Sequence, residues 1–316
     1  MSPFKILLSF FVAICWFHNA TAQSFSGKII YRIHYEDKKG GDHSTYWGRT
    51  FGNLQIFYTD GCNQRTDYLY DDLLLYSTFF DCESSQNYLS YPGVDRVLQH
   101  DNYLVDRRME VVSFEKDVIS ILGVPCDRLI VNYIGADQRQ QIEYFLSQQH
   151  QLDKRTVTGS SLEYPQALAV PLATVGGPAG TFQAAEAVTI KPIDTLSENF
   201  FSLPASSTLV LNGAVLDSSV QPEKEYSWWY GKAQSSLRYP RNARRKGLEY
   251  SVLVMFTVTE DSKLEDIEVI NEVDVTLAEQ VLRFLSNTSV KWNPGRIDGK
   301  PVTSTVVLPV NFRLTP

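Results

Sequence analysis

YPRNARRKGLEYSVLVMFTVTEDSKLEDIEVINEVDVTLAEQVLRFLSNTSVKWNPGRIDGKPVTSTVVLPVNFRL, residues 239–314, carries its own punctuation from end to end. Pro240 suits a first helical turn, where its missing N–H would be unpaired anyway, and Gly247 suits a left-handed helix stop. The helix between them exposes Arg241, Arg244, Arg245 and Lys246. The period then switches to two. Val252, Val254, Phe256 and Val258 fall on one strand face, and Ser251, Leu253, Met255 and Thr257 on the other. After the polar turn at residues 260–263, Ile267 and Val269 alternate with charged neighbours. Thr276 and Glu279 have the spacing of a capping box, in which each side chain satisfies an orphan backbone donor. The helix that follows is expected to bury Leu277, Val281 and Leu285, and Trp292-Asn293-Pro294-Gly295 to end it. A last strand places Val306, Leu308, Val310, Phe312 and Leu314 on one face.

Pro309 stands inside that strand. Proline cannot donate to a ladder, so within a sheet it belongs at an edge or a bulge. An edge strand keeps a row of unpaired backbone groups that can accept a strand from a partner.

Together these residues resemble the C-terminal domain of TonB, the periplasmic energy transducer of Gram-negative bacteria. The likeness is carried by Tyr239-Pro240 with Ala243 and Arg244, the strand over Val252 to Val258, Lys263 and Ile267, and Leu277 to Leu285. It continues through Trp292-x-Pro294-Gly295, Gly299-Lys300-Pro301 and Leu308-Pro309-Val310-x-Phe312. Tyr250 stands where the family usually has glycine before its first strand, and Ser262 where it usually has a turn glycine. The resemblance implies a small αββαβ domain, a three-stranded antiparallel sheet on two helices, over 225–316. Its implied partner is a TonB-dependent outer-membrane transporter, whose N-terminal TonB box would pair with the last strand. The implied partner-binding residues are Thr303, Ser304, Thr305, Val306, Val307, Leu308, Pro309, Val310, Asn311, Phe312 and Arg313, flanked by Tyr239 and Pro240. Family transducers also carry a membrane helix and a Pro-rich spacer. The residues before 225 read as neither, so the resemblance implies docking and leaves energy transduction open.

Outward from this unit, the chain of 316 residues has the length of two domains and ordinary apolar content, 43%. Its opening, MSPFKILLSFFVAICWFHNATAQ, has Lys5, an apolar run from Ile6 to Phe17, and Ala20-Thr21-Ala22 before Gln23. That pattern predicts a cleavable export signal over 1–22 and a periplasmic location, with membrane anchoring as the competing expectation. The apolar run is short of the ~20 residues a spanning helix needs.

Residues 23–204 read as mostly β. Short alternating runs begin with Gly27 to Tyr35 and continue at Tyr46 to Tyr58, Asp67 to Tyr76, Tyr103 to Phe114, Arg128 to Tyr133 and Gln141 to Leu146. Their spacing points to an antiparallel sheet, curved or half closed. The strings SFSGKIIYRIHYED, ILGVPCDRLIV, IEYFLSQQ and FFSLP resemble the GLPGLI-type β-rich exported domains, distant relatives of half-barrel lipoprotein carriers. The expected fold class is thus α+β: a β-rich antiparallel, half-barrel-like domain, then the αββαβ unit. Residues 205–224 lose periodicity and read as a linker. Trp228-Trp229-Tyr230 is too apolar to dangle and is expected to pack on the C-terminal sheet, with an exposed docking patch as the alternative.

Export permits a disulfide, and past the signal the cysteines are Cys62, Cys82 and Cys126. Three pairings are open, of which Cys62 with Cys82 closes the shortest loop. From Glu225 onward, twelve Lys/Arg face eleven Asp/Glu, so that part is near neutral and the net acidity lies in the preceding part. No single-sign block points to nucleic acid. No HExxH, paired Cys-x-x-Cys, GxSxG elbow, P-loop or dinucleotide fingerprint is present, so neither enzyme activity, metal nor cofactor is expected. Two functions remain: strand docking along 303–313, or a carrier whose first domain holds a lipid or hydrophobic ligand. A large apolar cavity in the first domain would favour the carrier.

Overall fold

The computed structural model describes residues 24–314 except 38, 101–107, 135–138, 157–164, 177–180, 194–195, 198, 213–215 and 288–289. The expected export signal, and the start of the strand expected at Tyr103 to Phe114, lie outside the described residues.

The N-terminal half is one large sheet. Its strands are β1 (Gly27–Asp37), β2 (Leu54–Thr59), β3 (Gln64–Tyr70), β4 (Leu73–Asp81), β5 (Gln86–Ser90), β6 (Arg96–His100), β7 (Arg108–Ile121), β8 (Val124–Ile134), β9 (Arg139–Gln151), β10 (Ala169–Gly176), β11 (Thr181–Pro192) and β12 (Thr208–Leu211). Their order is β12-β6-β5-β4-β3-β2-β1-β11-β10-β9-β8-β7, antiparallel throughout except where β12 runs parallel to β6. The sheet curls. Gln64 and Thr66 of β3 and Val170 and Thr174 of β10 line one cavity, although three strands lie between them. A flat sheet would separate them by about 19 Å at ~4.8 Å per strand.

Alternation gives the concave side its apolar lining, and a bulge in the β1–β11 pairing at Ile30/Tyr31 adds local bend. Ile29, Tyr31, Ile33 and Tyr35 of β1 point inward and are buried, whereas Arg32, His34 and Glu36 are exposed. Phe25, Phe57, Leu172, Ala185 and Ala187 complete the same core. The cavity left inside is only about 270 Å³, and Gln55, Gln64, Thr66 and Thr174 supply polar groups to its wall. A second cavity, about 610 Å³, has a mixed wall, with Asp60, Asn63 and Asp81 beside Phe79, Leu196 and Phe201. Among the described residues, neither of these two cavities is both large and mainly apolar.

Two of the strands expected here are divided. Tyr46 to Tyr58 is a helix, α1 (Ser44–Phe51), followed by β2. Asp67 to Tyr76 is a hairpin, with Asp71 at φ 53° in the left-handed region between β3 and β4. Asn53 holds Asp71 in that conformation from two sides: its Oδ1 accepts the Asp71 N–H and its Nδ2 donates to Asp71 Oδ1 at 3.1 Å.

Cys62 and Cys82 are joined by a disulfide across the β3–β4 hairpin, and Cys126 is a buried free thiol. The bridge spans 20 residues of sequence. Replacing both cysteines by serine is expected to lower unfolding free energy by about 3 kcal/mol on the loop-entropy account. Urea denaturation of the two proteins measures this; a loss below about 1 kcal/mol would mean the hairpin is closed without the bridge.

The segment expected as a linker is partly built into the fold. Thr208–Leu211 is β12, paired with β6, and β13 (Gln221–Pro222) pairs with β16 (Trp292–Asn293). Between them Asp217 and Ser218 exchange backbone hydrogen bonds with Arg296.

The C-terminal unit contains α2 (Tyr226–Ser236), α3 (Arg241–Arg245), β14 (Tyr250–Val258), β15 (Leu264–Val269), α4 (Val275–Asn287), the hairpin β17 (Gly295–Ile297) and β18 (Lys300–Val302), and β19 (Ser304–Phe312). The sheet order is β15-β14-β19. α3 stops as its sequence implies. Gly247 has φ 64°, its N–H bonds Arg244 O, and Leu248 N–H bonds Ala243 O, closing a Schellman motif. Ser262 adopts φ 65° without being glycine, steadied because its N–H reaches Thr259 O and Lys263 N–H reaches Thr259 Oγ1.

The α4 cap lies two residues earlier than the Thr276/Glu279 pattern implies. Asp274 precedes the helix, and its Oδ1 accepts from the Thr276 N–H at 3.0 Å and from the Thr276 hydroxyl. These bonds hold the Asp274 carboxyl below the usual carboxylate range. An aspartate directly before the first turn out-competes a threonine inside it.

α2 was not visible as a helix in the sequence, yet it is central. Trp229 is fully buried against Trp292 and Phe284, at 5.8 and 5.9 Å between rings. Trp228 and Tyr230 flank it and stay about two-fifths exposed, 39% and 41%. The aromatic triplet therefore both anchors and remains at the surface.

Candidate partner-docking edge

β14 is buried on both faces. Val252, Val254, Phe256 and Val258 meet Leu277, Val281, Leu285, Trp229 and Trp292 on the helical side. On the other side Leu253 and Met255 join Tyr91, Leu98 and Ile270, with Val210 and Val307 packed against them. The second face of the small sheet is thus covered by the N-terminal half. Arg96 of β6 reinforces the contact: its guanidinium donates to Thr257 Oγ1 at 3.2 Å, to Asp266 O at 3.0 Å, and to the Glu268 carboxylate.

β19 is an edge strand. It is hydrogen-bonded to β14 alone, and among the described residues its backbone has no other backbone partner. Which groups face the open side follows from Leu253, the residue opposite Pro309. The Leu253 N–H donates to Asn271 Oδ1 at 2.8 Å, and its carbonyl accepts from Ile270 N–H at 3.0 Å. Both Leu253 groups therefore point away from β19, and the Leu253–Pro309 pair is a non-hydrogen-bonded one. Alternation then assigns the rest. Ser304, Val306, Leu308, Val310 and Phe312 exchange bonds with β14, whereas Thr305, Val307, Pro309 and Asn311 turn their backbone groups outward. Proline occupies the one class of position where its missing N–H leaves the β14 ladder whole.

The residues implied as partner-binding are not equivalent. Thr303 is an exposed residue before the strand. Ser304 and Thr305 are each 1% exposed. Ser304 Oγ accepts from Gly295 N–H and donates to Val302 O, and a Cβ on Gly295 would strike Leu216 and Ser304. Thr305 Oγ1 lies 3.1 Å from Thr257 Oγ1. The accessible part of the edge is therefore Val306 to Arg313, with Asn311 and Arg313 exposed. Pro240 caps α3, and the Tyr239 ring stands edge-on to Phe312 at 5.7 Å while its hydroxyl donates to Leu248 O. Tyr239 and Pro240 thus support the end of β19 from the helical side.

Sequence reading missed the third component, α1. Tyr46 donates its hydroxyl to Asn311 Oδ1 at 2.9 Å. The Arg313 guanidinium lies over Tyr46 at 4.2 Å and Trp47 at 5.1 Å, and Arg49 lies over Tyr250 at 5.1 Å. Burial pushes the Tyr46 phenol above its ordinary pKa. The only legible signal was the crowding of Tyr46, Trp47 and Arg49 into four residues.

Among the described residues no group of three His, Cys, Asp or Glu side chains could hold a metal ion. No described helix is long and apolar enough to cross a membrane.

What the fold defines is a small mixed α/β unit with an open edge at β19, following a curved antiparallel sheet. Residues 235–314 match the family model described as Gram-negative bacterial TonB protein C-terminal. That family, taken by itself, is one of energy-transducer domains of the Gram-negative envelope, and the match covers residues 235–314 of this chain. The chain is also similar, at 12% identity and TM-score 0.34, to a solved structure of PNGF-II, over 72% of this chain and 42% of that one. The chain thus spans less than half the length of that structure. LprF from Mycobacterium bovis is similar at 9% identity and TM-score 0.23, over 58% of this chain and 90% of that one. Both likenesses are too distant to define a shared fold. No curated protein matches the chain.

Proposed function

We propose that this chain is a periplasmic interaction module of TonB-dependent transport, docking the extended TonB box of an outer-membrane transporter by strand addition to β19. The observation that carries it is the open edge of β19, whose outward groups at Val307, Pro309 and Asn311 have no backbone partner among the described residues. Backbone bonding supplies the attraction in this mode of recognition, and pockets for alternate side chains supply selectivity. The covered second face limits approach to the rim, so a partner strand lies beside β19 rather than across the sheet. Pro309 offers a carbonyl and no donor, which favours registers that place no acceptor opposite it.

Titration of the full chain with TonB-box peptides, followed by amide shifts, tests the reading. Val307 and Asn311 amides are expected to move most and to gain protection from exchange. Leu308, Val310 and Phe312 amides, already bonded to β14, are expected to move less. A titration in which no residue of 303–313 responds would sink it.

A further inference from the structure

Two cations stand at the C-terminal end of β19: Arg313, already named among the implied partner-binding residues, and Arg49 of α1, which strand docking by itself does not use. Arg313 follows the last edge residue, is exposed, and rests on the Tyr46 and Trp47 rings. Arg49, from the same helix as those rings, rests on Tyr250, which pairs directly with Phe312. Neither guanidinium has a carboxylate ion-pair partner among the described residues. The carboxylate nearby, Glu249, accepts the Leu314 N–H at 2.6 Å. Two cations against one engaged anion leave this end of the edge positive.

Stacking matters as much as charge. A guanidinium already positioned on an aromatic ring loses little entropy when it meets an anion, and Arg313 is positioned both by the Tyr46 and Trp47 rings and by the Tyr46 hydroxyl it faces. The shelf is itself fixed. Tyr46 and Trp47 stand edge to face at 4.9 Å, Trp47 stacks on Phe51 at 5.6 Å, and the Tyr46 hydroxyl is tied to Asn311. Asn311 is one of the outward-facing edge residues, so the shelf is registered to the position where an added strand would end.

We propose that Arg49 and Arg313 read a carboxylate on the docking partner: an aspartate or glutamate just past the residue that pairs with Asn311. The proposal rests on strand addition to β19, and it makes the N-terminal half a direct contributor to partner choice. The occupant is an acidic-ended extended peptide, because the cations continue the edge and complement that charge.

The test uses the full chain and end-capped peptides of alternating valine and threonine, each carrying one terminal Glu, Gln or Lys. Two sets, with the variable residue first or last, cover both strand directions. In one set, binding by fluorescence anisotropy is expected to rank Glu over Gln over Lys, with about a tenfold span. The span is expected to shrink toward one as salt is raised to about 0.5 M. The R49E/R313E double variant is expected to invert the ranking while circular dichroism shows an unchanged fold. Should that variant misfold, the wild-type ranking and its salt dependence decide alone. Equal binding of Glu, Gln and Lys peptides at β19 would overturn this proposal and leave strand docking standing. No peptide shift at β19 at all would overturn both. Arginine-dependent binding to vesicles of phosphatidylglycerol, with peptides bound indifferently, would overturn it in favour of a membrane surface.

Discussion

Trp229→Ala is expected to lower the unfolding free energy by about 3–5 kcal/mol, the range for removing a large buried aromatic. Trp229 is 0% exposed and packs against Trp292, Phe284 and Tyr230. Its loss leaves a void between α2 and α4 that neither helix can close without dragging the sheet. A domain has only ~5–15 kcal/mol of net stability, so the variant should populate unfolded chains at modest urea. The neighbour supplies the control. Trp228 is 39% exposed, with the Lys224 ammonium over its ring at 4.6 Å, and Trp228→Ala is expected to change stability by at most about 1 kcal/mol. Equal midpoints for the two variants in urea denaturation would show that α2 is a loose appendage. The result also sets a boundary, because Trp229 lies six positions before residue 235, where the family match begins. A fragment starting at residue 235 would carry the family's residues and lack part of its own core.

The C-terminal unit was legible because each element is bounded by residues with only one good use. Pro240, Gly247 and Pro309 each restrict the backbone, and the switch from period two to period 3.6 separates β14 from α4. The covered face of β14 was half legible. Leu253 and Met255 are apolar on the side that an isolated module would show to water, and their packing on Leu98 and Tyr91 explains them. Tyr250 is a related case. It stands where glycine is usual in the resembling family, and here its ring is the platform for Arg49. A side chain at that position is what α1 grips.

The N-terminal sheet was legible at β1 and in outline beyond it. β11 escaped because Ala184, Ala185 and Ala187 weaken its strand signal. Those residues are small because the strand lies beside β1 in the crowded concave core, where Ala185 and Ala187 are buried. β10 escaped because Pro171 interrupts it, and the pairing register does shift on either side of that proline. α1 was hidden by its composition. Thr45, Tyr46, Trp47, Thr50 and Phe51 read as strand, and tertiary contact with β1, β3 and β14 overrides the preference. With α1 misread, the shelf at the end of the docking edge was beyond reach of the sequence.

The orientation of the edge groups gives the sharpest contrast, between neighbouring residues of one strand. Val307→Pro removes an outward N–H and touches no bond to β14, since Val307 lies opposite Met255 in a non-hydrogen-bonded pair. Its φ requirement suits a strand, and the stability change is expected to stay within about 1 kcal/mol. Peptide addition to β19 is expected to weaken at least about tenfold, because prolines at 307 and 309 would leave no outward donor between Thr305 and Asn311. Leu308→Pro reverses the pattern. It deletes the N–H that bonds Val254 and leaves that carbonyl buried and unpaired, a loss on the order of 3 kcal/mol. The first variant should therefore fold and fail to bind, and the second should fail to fold. Binding by Val307→Pro equal to the natural chain, with its melting unchanged, would place the partner somewhere other than this edge. Melting of Val307→Pro as low as that of Leu308→Pro would mean that the outward and inward assignments along β19 are exchanged. Amide exchange separates the two cases without a ligand: Val307 and Asn311 should exchange within minutes while Leu308 and Val310 stay protected.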